Sequence, residues 1–235
     1  MKNVVICKSC NTENPYYEVI CNSCHSYLKE RIFNIDLWKT IEQLIETPVR
    51  AFQRIIQSEH KNFISIIFAL AAFKLFINSI FISLLLFRNE NASNIFFTRL
   101  LLFAGGMLVI LLILSLLLLL IIKKGGIKTR YKDIFSILTY SLTPYFFAAF
   151  ILFPIEIIIF GEYLFSVNPS PYTIKSFLAW TITGLEILLI IWSLFLMTMG
   201  IFAQTKSNKF SIIASVAINL IIYLSIICYS VYLAL

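Results

Sequence analysis

The chain has 235 residues, of which 60% are hydrophobic and only 13% charged, with a mean hydropathy of +0.89. A water-soluble domain carries about a quarter charged residues, so this composition excludes an ordinary soluble enzyme and points to lipid as the solvent. The formal charge of +7 follows from basic residues gathered beside apolar runs, and nucleic acid is not an expected partner.

Residues 1 to 61 hold eight of the nineteen basic and seven of the twelve acidic residues, so this segment alone reads as water-facing. Met1 to Ile6 is too short for the apolar core of a secretory signal, so none is expected. Cys7, Cys10, Cys21 and Cys24 form two Cys-x-x-Cys pairs separated by ten residues. Each pair suits a tight turn whose amides point at the sulfurs, and two such knuckles suit one tetrahedral zinc ion. Four thiolates leave no open position, so the Zn2+ is expected to be structural. A segment of about thirty residues cannot fold on its own core, and metal would supply about 10–16 kcal/mol. Two disulfides would need an oxidising compartment, and a redox pair would need a βαβ scaffold. The linker from Asn11 to Ile20 is expected to form a short hairpin with a turn at Asn14-Pro15. His25, beside a site already full, is expected either to be solvated or to lie just outside the ligands, and Cys228, in the last apolar run, to be a small buried hydrophobe.

Residues 31–61 read as an amphipathic linker. Ile35, Trp38, Ile41, Leu44 and Ile45 recur at helical spacing, and Thr47-Pro48 starts a second helix through Val49, Phe52, Ile55 and Ile56. This linker either lies in the membrane interface or packs on the protein's own loops.

Residues 62–235 contain five apolar runs of membrane-crossing length, at roughly 62–87, 96–122, 134–160, 176–203 and 210–235. The expected fold class is therefore all-α: a five-helix transmembrane bundle behind a small amino-terminal zinc ribbon at 1–30. One set of flanks carries the basic loop Lys123, Lys124, Lys128, Arg130 and Lys132, together with Lys206 and Lys209. The other carries Arg88, Arg99 and Lys175, opposed by Glu90 and Glu162. The positive-inside rule puts the first set and the amino terminus in the cytosol and the carboxyl terminus outside, in a multi-pass plasma-membrane protein.

Ionisable groups within these runs are costly and become candidate functional residues. Lys74 and Asn78 lie one turn apart in the first run, and Glu186 lies mid-way along the fourth. Lys74 and Glu186 either pair between helices or face different neighbours. Glu156 is expected to be wet, near the outer interface. Ser211, Ser215 and Asn219 form a stripe suited to helix–helix hydrogen bonds. Pro144 and Pro154 should bend the third crossing. Gly105, Gly106 and Gly184 are expected to permit close packing.

Thr47-Pro48-Val49-Arg50-Ala51-Phe52 resembles the Pro-x-x-x-Phe entry segment of bacterial members of the YIP family. Tyr131-Lys132-Asp133-Ile134-Phe135 followed by Thr139-Tyr140-Ser141-Leu142-Thr143-Pro144 is similar to that family's basic loop and its tyrosine- and proline-bearing helix. Gly200 through Lys209 resembles its final hairpin. The resemblance covers residues 45 to 235 and implies a cytosolic amino terminus and five crossings, with a zinc ribbon in some bacterial members. Eukaryotic relatives are associated with Rab-type GTPases, but their Asp-Leu-Tyr-Gly-Pro signature is not found here, so that role is not carried over.

The function expected is a non-enzymatic membrane scaffold or adaptor. Its ribbon and basic loop would dock protein partners or anionic lipid head groups and assist assembly of a membrane or transport complex. The alternative is a small permease or lipid-handling protein using Lys74, Glu186 and the bent third helix. No Ser-His or Cys-His constellation is evident, so an enzyme is not expected.

Overall fold

A computed structural model describes residues 3–29, 32–87 and 96–234. The expected outer-flank residues Arg88 and Glu90 lie outside this set. The chain begins with an antiparallel strand pair, β1 (Val4–Ile6) and β2 (Glu13–Pro15), in the register Val4 to Pro15 and Ile6 to Glu13. Two amphipathic helices follow, α1 (Leu37–Glu46) and α2 (Pro48–Gln57). Asp36 caps α1 by accepting from the Lys39 amide at 3.1 Å, whereas Thr47 makes no side-chain cap and α2 starts on Pro48.

Among the described residues, five helical stretches are long and apolar enough to cross a membrane: Ile64–Leu86, Phe96–Lys124, Thr143–Phe165, Ser176–Thr205 and Asn208–Leu233. The corresponding helices are α3 (Ile64–Phe87), α4 (Phe96–Lys124), α9 (Ser176–Thr205) and α10 (Asn208–Ala234), each within two or three residues of its expected run. Their apolar residues, such as Leu86, Leu101, Phe177 and Ile213, are exposed on the protein surface, as lipid-facing side chains must be.

The third crossing departs from expectation. Residues 134–160 do not form one bent helix. Instead α5 (Tyr131–Tyr140) ends at Ser141. A second stretch then runs through α6 (Thr143–Phe147), a π-helical turn at Ala148–Leu152, α7 (Phe153–Phe160) and a 3₁₀ turn at Gly161–Phe165. Pro144 stands at the first turn of α6, just after the break at Ser141, where a missing N–H costs little, so it starts a helix rather than bending one. Pro154 follows the π-helical turn within a continuous helical backbone. A short helix, α8 (Pro171–Ile174), precedes α9.

Contacts divide the chain into two compact units. The first comprises residues 1–65, 111–141 and 194–217, and the second residues 66–110, 142–193 and 218–235. In the first, Ala51, Phe52, Ile55 and Ile56 of α2 are fully buried, so this helix packs on protein. Gly200 is the tight contact: a Cβ there would stand 2.7 Å from Ile137 Cγ2 and 3.1 Å from the Phe52 ring. Gly105, Gly106 and Gly184 were expected to have that role, but beyond the local backbone of their own helices no described atom lies within 4 Å of a Cβ built on any of them. In the second unit, Phe76 packs edge-on against Phe96 at 5.2 Å, and Phe103 against Tyr229 at 5.0 Å. Cys228 is exposed rather than buried.

Candidate functional site

The cysteines come together through two turns built alike. The Cys7 amide donates to Thr12 O and the Asn11 amide to Cys7 O; the Cys21 amide donates to Ser26 O and the His25 amide to Cys21 O. Asn11 and His25, each directly after the second cysteine of its pair, adopt positive φ of 53° and 56°. The amides of Ser9 and Ser23 point at Cys7 Sγ and Cys21 Sγ, both at 3.4 Å. The strand pair flanks the first turn, and a bridge between Ile20 and Tyr27 flanks the second. The expected turn at Asn14-Pro15 is displaced: both residues end β2, and the turn opens at Pro15, whose carbonyl accepts from the Glu18 amide at 3.0 Å.

All four sulfurs lie within 4.8 Å of one another, with Cys7 to Cys24 and Cys10 to Cys21 both at 3.5 Å. Tetrahedral zinc with bonds of about 2.3 Å needs sulfurs about 3.8 Å apart, so the donor set fits one ion. The Ser26 hydroxyl and the Ser9 amide pull the Cys7 thiol down to about 5, which favours the thiolate. Asn14, which composition did not single out, joins the two turns. Its Oδ1 accepts from the Asn22 amide at 2.9 Å, while its Nδ2 donates to Thr12 O at 2.9 Å and to Cys21 Sγ at 3.5 Å.

The same unit fastens this segment to helix ends. Asn3 Nδ2 donates to Gln204 O at 2.6 Å, satisfying a carbonyl in the last turn of α9. Gln57 donates to the Tyr16 hydroxyl at 2.7 Å, and Arg130 lies over the Tyr17 ring at 4.5 Å. Arg130 also pairs with buried Asp133 at 2.9 Å and donates to Ile56 O at 3.2 Å. Lys61 reaches Asp133 at 3.2 Å and donates to the Ile55, Ile56 and Ser58 carbonyls at the end of α2.

A second cluster lies wholly within the other unit. Lys74 Nζ is 2.6 Å from Glu186 Oε1 and 2.9 Å from each carboxylate oxygen of Glu156. Asn78 Nδ2 donates to Glu186 Oε2 at 2.7 Å. Lys74 is 1% exposed and Glu156 5%, so Glu156 is a buried partner of the lysine rather than a wet group. Beside them is a cavity of about 220 Å³ whose lining includes Asn78, Glu156 and Glu186.

A family model for the Yip1 domain matches residues 43–231. The chain belongs to the Yip1 family. No curated protein and no solved structure matches it.

The Yip1 region holds the remaining candidates. Ser211 and Ser215 are fully buried and meet Thr205 at 3.1 Å and Thr198 at 2.6 Å, linking α10 to α9. Asn219 is buried further along α10. The basic loop is not uniform. Lys123, Lys124 and Lys128 are exposed. Arg130 is committed to Asp133, and Lys132 reaches Glu59 O at 3.4 Å.

Proposed function

We propose that this Yip1-family membrane protein is a non-enzymatic scaffold whose amino-terminal ribbon holds one structural zinc ion on Cys7, Cys10, Cys21 and Cys24. The ribbon presents a docking surface on the cytosolic face of the plasma membrane. Residues 1–30 form the ribbon, 31–61 a helical linker and 62–235 the membrane domain. The carboxyl terminus lies outside, and the chain is of the bacterial type.

One observation carries this reading. Asn3, Tyr16 and Tyr17 tie the ribbon down, while Ile6, Ile20 and Tyr27 stay 60%, 43% and 73% exposed. Apolar side chains on a small, immobilised, water-facing module fit a protein partner better than a purely structural role. Trp38 on α1, 72% exposed, extends the apolar surface of the same unit, and Lys123, Lys124 and Lys128 offer charge for acidic partners or anionic head groups. The partner is expected to be a membrane or transport complex whose assembly the scaffold assists.

Co-purification from native membranes tests it. Ile6→Glu and Tyr27→Glu should each release partners that the parent protein retains, with zinc content unchanged. Retention of every partner in both variants would overturn the reading.

A second reading, a small permease or lipid-handling protein, is favoured by the cavity beside Lys74, Glu156 and Glu186. Solute flux in vesicles lost on Glu186→Gln would support it; flux at the background of empty vesicles in the parent protein would remove it.

A further inference from the structure

The geometry points to a binding site for an apolar organic ammonium ion in the cavity between α3, α7, α9 and α10. Among the described residues, one lysine faces two carboxylates here, so with all three ionised the cluster keeps an excess negative charge. Such a charge in a membrane interior costs several kcal/mol unless neutralised. Glu156 and Glu186 line the cavity whereas Lys74 is not in its wall, so the excess charge faces the open space and the cation lies behind it.

The rest of the wall fits the same ligand. Six aromatic rings line the cavity: Phe81, Tyr145, Phe160, Phe165, Tyr172 and Tyr223. Aromatic faces attract ammonium groups, most strongly where water is excluded. The Tyr145 and Tyr223 hydroxyls hydrogen-bond to each other, and the one that donates keeps its own lone pairs for an N–H donor. Tyr172 is held by Thr183 at 2.7 Å, and Thr183 in turn donates to Ala179 O at 2.9 Å, so that wall is fixed before any ligand arrives. An apolar cavity of about 150 Å³ admits benzene; the 220 Å³ here admits a ring with a short charged chain. The ammonium would sit against Glu156 and Glu186, and its apolar part among the rings and Ile182.

This inference rests on the cavity being a ligand site, not on transport or on the ribbon's docking role. Equilibrium dialysis of the full chain in zwitterionic nanodiscs, with empty nanodiscs subtracted, compares 2-phenylethylammonium with its neutral isostere 2-phenylethanol. The ammonium ion should bind saturably and at least ten-fold more tightly than the alcohol. Glu186→Gln should erase that preference. Ile182→Trp, which fills the cavity while leaving every charged side chain in place, should abolish ammonium binding and decides the matter if Glu186→Gln does not assemble. Equal affinity for the two probes, no saturable binding, or ammonium binding that survives Ile182→Trp would overturn the proposal. Saturable binding without solute flux would remove the permease reading alone.

Discussion

Lys74 and Glu156, eighty-two positions apart, meet in a bidentate ion pair with Lys74 Nζ 2.9 Å from both carboxylate oxygens. Two contacts at equal length hold the ammonium midway between the two carboxylate oxygens, and Glu186 is a further partner at 2.6 Å. Breaking a buried pair from one side is far more damaging than replacing both partners, because the survivor stays charged and unpaired. Lys74→Met should therefore cost about 3–5 kcal/mol of stability, seen as loss of folded protein in detergent. Lys74→Met combined with Glu156→Gln and Glu186→Gln should recover most of it. A triple variant no better than the single one would contradict this account.

The membrane runs were legible because hydrocarbon thickness demands about 20 apolar residues, and no other constraint competes over 96–124 or 176–205. Glu156 was not legible, and the reason is where its helix begins. Counted from residue 134, it lies about 33 Å along a helix and reads as an outer-edge group. The chain breaks at Ser141, however, so counted from Thr143 it lies only about 20 Å along, near the middle of the stretch Thr143–Phe165. The π-helical turn at Ala148–Leu152 further alters which face it presents, and periodicity alone does not signal such a turn. The cysteine cluster was visible from spacing. Asn3 and Asn14 were not, because an isolated asparagine carries no periodic signal and their partners are set by tertiary structure.

Gly200 supplies a packing test. Adding a methyl group would bring carbon to 2.7 Å of Ile137 Cγ2, below any tolerated contact, with the Phe52 ring at 3.1 Å leaving little room to retreat. Gly200→Ala should destabilise the protein by about 1–3 kcal/mol despite its better helix propensity. Ile137→Ala in the same chain should relieve part of that loss. Melting in detergent measures both, and a Gly200→Ala variant more stable than the parent would refute the contact.

Metal content tests the cysteine cluster directly. The purified protein should hold one zinc ion per chain, and Cys7→Ser or Cys21→Ser should each lower that value to near zero, since three thiolates bind far less tightly at neutral pH. Cys228→Ser, exposed in α10, should leave it at one. Because Asn3 and the turn residues tie the ribbon to Gln204 and Arg130, chelation should also speed amide exchange in the last turn of α9. Exchange there that is indifferent to chelator would separate the ribbon from that helix end.

Lys61 gives a pH dependence whose sign can be worked out. Burial lowers its ammonium from 10.5 to about 8, and the Asp133 carboxylate only partly offsets this. The unfolded chain keeps this proton up to about 10.5, whereas the folded chain releases it from about 8. Between those values the unfolded state binds more protons, so stability rises with pH across the window. Below about pH 8 both states are protonated and the folded protein carries the full cost of the buried charge. Lys29 shifts to about 8 as well, again chiefly by burial, and adds to the same slope. Melting temperatures between pH 8 and 10 should therefore rise more steeply in the parent than in Lys61→Met, which removes one of these groups. Among the described residues the variant leaves Asp133 paired with Arg130 at 2.9 Å, so the quantity to compare is the slope, which should be shallower than the parent's. Parallel curves for parent and variant would mean that Lys61 keeps its proton in the folded state as readily as in water.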